Sequence, residues 1–189
     1  GGPKGIAYLG ALKVLEDRGL LQELQRVAGT SAGAITATTI AMGYNAKESA
    51  DLLDKVELTD WLDHPFRRDN LLSRLENNFT LGRLCDFVIN PLPLINPLSW
   101  LKSLWQTNGV CRGEVFLNWM ENLIHQRTGI EHCTFGELQE LIGKGKPFKE
   151  LHVFSSRVGP NPKIVHFHAD DSDWKNLIIS DAVRASMSI

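Results

Sequence analysis

Gly29-Thr30-Ser31-Ala32-Gly33 limits what this chain can fold into more than any other stretch. Before it, Gln25-Arg26-Val27-Ala28 reads as a short strand. After it, Ala32 to Met42 is made of small and apolar residues and reads as a buried helix. A G-x-S-x-G sequence between a strand and a helix is the pattern of a nucleophile elbow, a sharp turn that holds the serine hydroxyl out at its apex. Side chains at positions 29 and 33 are expected to crowd the strand-to-helix crossing, and Ser31 is expected in strained backbone geometry. The helix would aim its positive N-terminal end at Ser31 and favour the alkoxide character needed for attack. Five-residue patterns with three fixed positions also arise by chance, so the flanking structure decides.

Those flanks point to a layered α/β fold. Apolar residues from Ile6 to Leu15 recur at helical spacing, and Gly19 stands where a helix-ending glycine belongs. Asn45 can cap a surface helix over 46–55. Residues 114–126 read as a helix closed by Gly129, and Thr134 with Glu137 forms a capping box ahead of Leu138, Leu141 and Ile142. Residues 151–155 and 163–168 read as strands about the turn Gly159-Pro160-Asn161-Pro162, and a final helix starts near Ser180 or Asp181. From Trp61 to Trp105 four prolines interrupt any regular pattern.

A second glycine-rich segment strengthens the elbow reading. Gly1-Gly2-Pro3-Lys4-Gly5 lies just before the first helix, where free amides converge and can bind an oxyanion or a phosphate. Pro3 has no N–H, which leaves Gly1 and Gly2 as the natural donors, with the charge of Lys4 nearby. A nucleotide phosphate site is a poor match, because the segment lacks both the length of a P-loop and its following Ser/Thr. These residues resemble the patatin-like phospholipases, whose signature is G-G-G-x-(Lys/Arg)-G followed, after one helix and one strand, by G-x-S-x-G. Gly1, Gly2, Lys4 and Gly5 match all but the first glycine. Ala182-Val183-Arg184-Ala185-Ser186-Met187-Ser188-Ile189 is similar to the family's A-x-R-A-S-x-x-I segment.

The resemblance implies a three-layer α/β/α fold with a mainly parallel central sheet. It also implies a phospholipase A-type lipid acyl hydrolase that uses a Ser/Asp dyad, with Ser31 as nucleophile, Gly1, Gly2 and Lys4 as oxyanion hole, and no metal or organic cofactor. The family's aspartate sits in an Asp-Gly turn, and this chain has no Asp-Gly pair; Asp170, Asp171, Asp173 and Asp181 all precede where that turn should fall. Residues 1–189 are therefore expected to be one hydrolase domain cut at both ends, inactive by itself. Two rivals are an α/β-hydrolase esterase with a Ser-His-Asp triad and a non-catalytic lipid-binding module that has kept the elbow but lost its base.

The remaining features set partners. A formal net charge of −2 gives no basic excess for nucleic acid. Cys85, Cys111 and Cys133 are odd in number and lack CxxC spacing, so neither a disulfide framework nor a zinc site is expected. No apolar run reaches the roughly 18 residues of a membrane span, and no leader precedes the first motif, so membrane contact is expected to be peripheral and the protein cytoplasmic. Residues 87–101 carry no charge but hold Pro91, Pro93 and Pro97. They are either a buried connection or, through Leu94, Ile95 and Trp100, a lipid-contacting lid. His166 and His168 would share one strand face, which most simply is a half-exposed surface and not a metal or triad site. Arg67, Arg68 and Lys102 read as solvated surface. Some bacterial members of the resembled family act inside host cells and need a host protein for activity, which adds a secreted effector with a protein activator to the expectations.

Overall fold

In the computed structural model, which describes residues 5, 7–54, 113–157 and 161–187, the order helix, strand, tight turn, helix is present. Helix α1 (Ala7–Asp17) ends at Gly19, whose φ of 72° is a conformation that glycine adopts without penalty. One more helical turn, α2 (Leu20–Glu23), follows before the strand, and sequence periodicity did not separate it. Strand β1 (Arg26–Thr30) runs two residues beyond the expected Ala28, because its pairing continues through Gly29 and Thr30. Helix α3 (Ala32–Ala41) is buried along nearly its whole length. Its small side chains permit that close approach, and Thr38 satisfies its buried hydroxyl by donating to the Ala34 carbonyl at 2.8 Å. Helix α4 (Ala46–Asp54) packs on α1 and is capped by Asn45, which exchanges two hydrogen bonds with Glu48.

Helix α5 (Glu114–Thr128) buries Phe116, Met120, Leu123 and Ile124, a single stripe at helical spacing. Helix α6 (Phe135–Gly143) starts with the expected box: the Thr134 hydroxyl accepts from the Glu137 amide, and the Glu137 carboxylate accepts from the Thr134 amide. Strands β2 (Glu150–Arg157) and β3 (Lys163–Phe167) precede the last helix, α7 (Ile179–Met187). Two bonds fix the start of α7: the Ile179 amide donates to the Cys133 carbonyl at 3.0 Å, and the buried Ser180 hydroxyl donates to the Glu121 carboxylate on α5.

The fold is α/β, as expected, and the sheet among the described residues has the order β1-β2-β3. The elbow strand belongs to the parallel pair, with Ala28 opposite His152 and Thr30 opposite Phe154, whereas β2 and β3 run antiparallel. Alternation separates the two faces. Val27, Leu151, Val153 and Phe167 are buried on one, while His152, Phe154 and His166 are half-buried on the other. Helices α3 and α7 pack against β1 and β2. Nearly all described residues belong to one compact unit formed by Gly1–Trp61 and Glu114–Ser188. Gly1, Gly2 and Lys4 of the opening loop, and Leu94, Ile95 and Trp100, lie outside the described residues.

Candidate active site

Ser31 stands between β1 and α3 with φ 54° and ψ −128°, a backbone region that costs a side-chain-bearing residue about 1–3 kcal/mol. Its carbonyl accepts from the Ala34 amide at 2.8 Å and so starts α3. The residue is half-buried, and the positive end of a buried helix lies directly under the turn.

The two elbow glycines differ. A Cβ at Gly29 would lie 2.1 Å from the Gly33 carbonyl oxygen, so the strand and helix backbones pass too close for any side chain there. A Cβ at Gly33 would meet nothing within 4 Å, which corrects the expectation that both positions are crowded. Space at the crossing is taken up by the backbone of Gly33, not by what Gly33 lacks. The described end of the opening loop, Gly5, is close by: a Cβ on it would be 2.9 Å from the Cβ of Ala32, the residue after the nucleophile.

Sequence reasoning missed the third side of the site. The Ser31 amide donates to the Ser186 hydroxyl at 2.8 Å, and that hydroxyl donates to the Phe154 carbonyl at 2.6 Å. The Ser31 hydroxyl has the sulfur of Met187 as its partner at 3.9 Å. The last turn of α7 thus reaches the elbow from a distance of 155 residues in the chain. The motif at residues 182–189 stands out in the sequence, but no local pattern says what it touches.

Among the described residues no histidine is hydrogen-bonded to Ser31. His166 and His168 share a face, with rings 4.2 Å apart, and His152 joins them from β2 with its Nδ1 2.9 Å from His166 Nε2. Burial holds His166 below its ordinary value, charge on His168 and His152 would lower it further, and Asp171 opposes them. Among the described residues no group of three or more His, Cys, Asp or Glu side chains has the arrangement of a metal site. Asp171 accepts from the Asp173 amide within a turn, and Asp181 lies in the first turn of α7, six residues or about 9 Å of helix rise from Met187. Cys133 is a free thiol, and its burial, with Glu137 nearby, pushes it up to about 12, so it is not an activated nucleophile. No helix among the described residues is long and apolar enough to cross a membrane.

Comparison with known proteins bears on the family and the fold. The family model described as "Patatin-like phospholipase" matches residues 1–189. YqhO of Bacillus subtilis is 35% identical over 140 residues, which are 74% of this chain and 38% of that protein. ExoU of the Pseudomonas aeruginosa type III secretion system, solved in complex with SpcU, has a TM-score of 0.63 at 23% identity; the match covers 100% of this chain and 37% of that one. VipD of Legionella pneumophila has a TM-score of 0.54 at 21% identity, over 97% of this chain and 40% of that one. These two likenesses are of fold. The chain spans between 38% and 49% of the curated relatives it matches.

Proposed function

This chain belongs to the patatin-like phospholipase family, and on that premise we propose that the intact protein is a serine lipid acyl hydrolase of phospholipase A type. It cleaves carboxylic esters of phospholipids or glycerolipids through a Ser/Asp dyad. The observation that carries this reading is the seat of Ser31, a strained, half-buried serine at the head of a buried helix with the end of the glycine loop packed against its neighbour Ala32. Ser31 attacks the ester carbonyl. The amides of Gly1 and Gly2, with Lys4 beside them, receive the oxyanion together with the Ala32 amide, which helix α3 itself does not use. The acyl group stays on Ser31 until water releases it as a fatty acid. An aspartate takes the serine proton and passes it to the departing alcohol of the lipid as the ester bond breaks, then takes a proton from the attacking water and returns it to Ser31 as the fatty acid leaves. No aspartate of residues 1–189 is followed by glycine, so the base is assigned to a part of the protein outside this chain.

A histidine triad is disfavoured, since the hydroxyl of Ser31 has Met187 as its partner and the sheet histidines engage one another. Residues 1–189 belong to one hydrolase domain that they do not complete and are inactive by themselves, and the reaction uses no metal or organic cofactor. Contact with the bilayer is peripheral, with Leu94, Ile95 and Trp100 as the lid or rim. A protein activator and action as an effector inside a host cell complete the reading, supported by the description of a solved relative as a secretion-system protein bound to SpcU. Treating the intact protein with a fluorophosphonate probe tests it. Ser31→Ala abolishes labelling and lowers ester hydrolysis at least about 10³-fold. Polar replacement of Leu94, Ile95 and Trp100 lowers hydrolysis of phospholipid vesicles about tenfold more than that of a soluble ester. Unchanged labelling of Ser31→Ala refutes the hydrolase, and equal losses on both substrates refute the lid.

A further inference from the structure

We propose that Ser186 is the positioning residue of the nucleophile: its hydroxyl, interposed between the Ser31 amide and the Phe154 carbonyl, holds the elbow in its attacking geometry. The inference rests on the hydrolase reading of Ser31. Pairing of β1 with β2 ends at Thr30 opposite Phe154, so the Ser31 amide lies just past the ladder and is not used by α3 either. Without a partner, this amide would leave the turn free to relax toward an ordinary backbone conformation. Ser186 supplies that partner. Its oxygen accepts from Ser31 N–H at 2.8 Å, and its single proton goes to the Phe154 carbonyl at 2.6 Å, one hydroxyl joining the two strands where a ladder bond would otherwise close. With its proton committed to a carbonyl, Ser186 acts on Ser31 through the backbone and takes no part in proton transfer.

The residues on either side of Ser186 rule out an incidental contact. Ser155 of β2 donates its hydroxyl to the Ala185 carbonyl at 3.0 Å, and Met187 sets its sulfur 3.9 Å from the Ser31 hydroxyl. Residues 185, 186 and 187 thus each grip β2 or the elbow, while Ser180 and Ile179 fix the other end of the same helix. Helix α7 is a strut whose far end carries the brace, and the direction of the Ser31 hydroxyl is set by it.

The test uses the intact protein with Ser186→Ala, Ser186→Thr and Ser186→Cys. Ser186→Ala lowers kcat on a soluble ester and the rate of fluorophosphonate labelling by about tenfold or more, with KM changed less than about threefold and a melting temperature lowered by roughly 2–8 °C, the protein staying folded at assay temperature. Ser186→Thr, which keeps the hydroxyl, recovers most of the loss. If Ser186→Ala does not fold, Ser186→Cys, whose thiol makes a longer and weaker bridge, shows the same ordering with a smaller loss. Hydrogen exchange at the Ser31 amide gives a readout independent of turnover: exchange is about tenfold faster in Ser186→Ala, while Val27 and Ala28 are unchanged. Unaltered exchange at Ser31, or kcat within about twofold of wild type, overturns the proposal. A wild-type protein that neither turns over an ester nor takes up the probe refutes the hydrolase reading instead, and the exchange measurement still decides the role of Ser186.

Discussion

A methyl group added at position 29 would lie 2.1 Å from the carbonyl oxygen of Gly33, well inside the contact distance of carbon and oxygen. The obstacle is backbone in the first turn of α3, which cannot retreat without unwinding the turn that seats Ser31. Gly29→Ala therefore destabilises the protein by at least about 3 kcal/mol, a fall of roughly 6–12 °C in melting temperature for a chain of this size. Gly33→Ala points its methyl into open space within a helix, where alanine is favoured over glycine by up to about 1 kcal/mol, so its melting temperature equals or exceeds that of the wild type. Thermal unfolding of the two variants side by side checks the contrast. G-x-S-x-G gives both glycines equal weight, and nothing in the chain's letters tells them apart. The strand–turn–helix seat of Ser31 was legible, because both its flanks sit within a dozen residues. Ser186 and Met187 were not, because their contact with it is made only by folding.

Helices announced themselves where an apolar stripe and a cap coincide. The Thr134–Glu137 box is the best case, since both halves of the signal and the stripe of Leu138 behind them are local. Its Thr134 amide and hydroxyl both donate to one Glu137 oxygen, at 2.9 and 2.8 Å. Thr134→Ala removes the side-chain half of this exchange and costs about 1–2 kcal/mol, read as a fall of roughly 2–8 °C in melting temperature. Loss of less than about half a degree would show the cap to be idle. Elements were misjudged where the deciding neighbour is remote. Strand β1 extends through Gly29 and Thr30 only because β2 pairs with them, and α2 follows Gly19 so closely that a helix-ending glycine concealed it. The antiparallel pairing of β2 with β3 agrees with strands read on either side of a proline-rich turn, but the parallel neighbour of β1 had no local sign.

The second face of the sheet gives the whole molecule a dependence on pH. His152, His166 and His168 stack there with Phe154, with Glu150 3.1 Å from His152 and Asp170 and Asp171 at the edge. Because His166 is held below its ordinary value near 6.5, chiefly by burial, the folded protein keeps it neutral more readily than the unfolded chain does. Its contribution to stability is complete above that ordinary value and declines as pH falls through it toward the lowered one. Melting temperature accordingly drops between neutral and mildly acidic pH, and His166→Gln flattens that slope; an unchanged slope would contradict the assignment. Two of the three were legible as the two-residue spacing of His166 and His168, while His152 joined them only through strand register. Ser31 and the helix end that braces it are 155 residues apart, and this separation has a consequence during translation. A ribosome releases the Ser31 hydroxyl early and the residues that brace its turn 155 positions later, so the elbow of a nascent chain stays unbraced until the last turn of α7 has been synthesised.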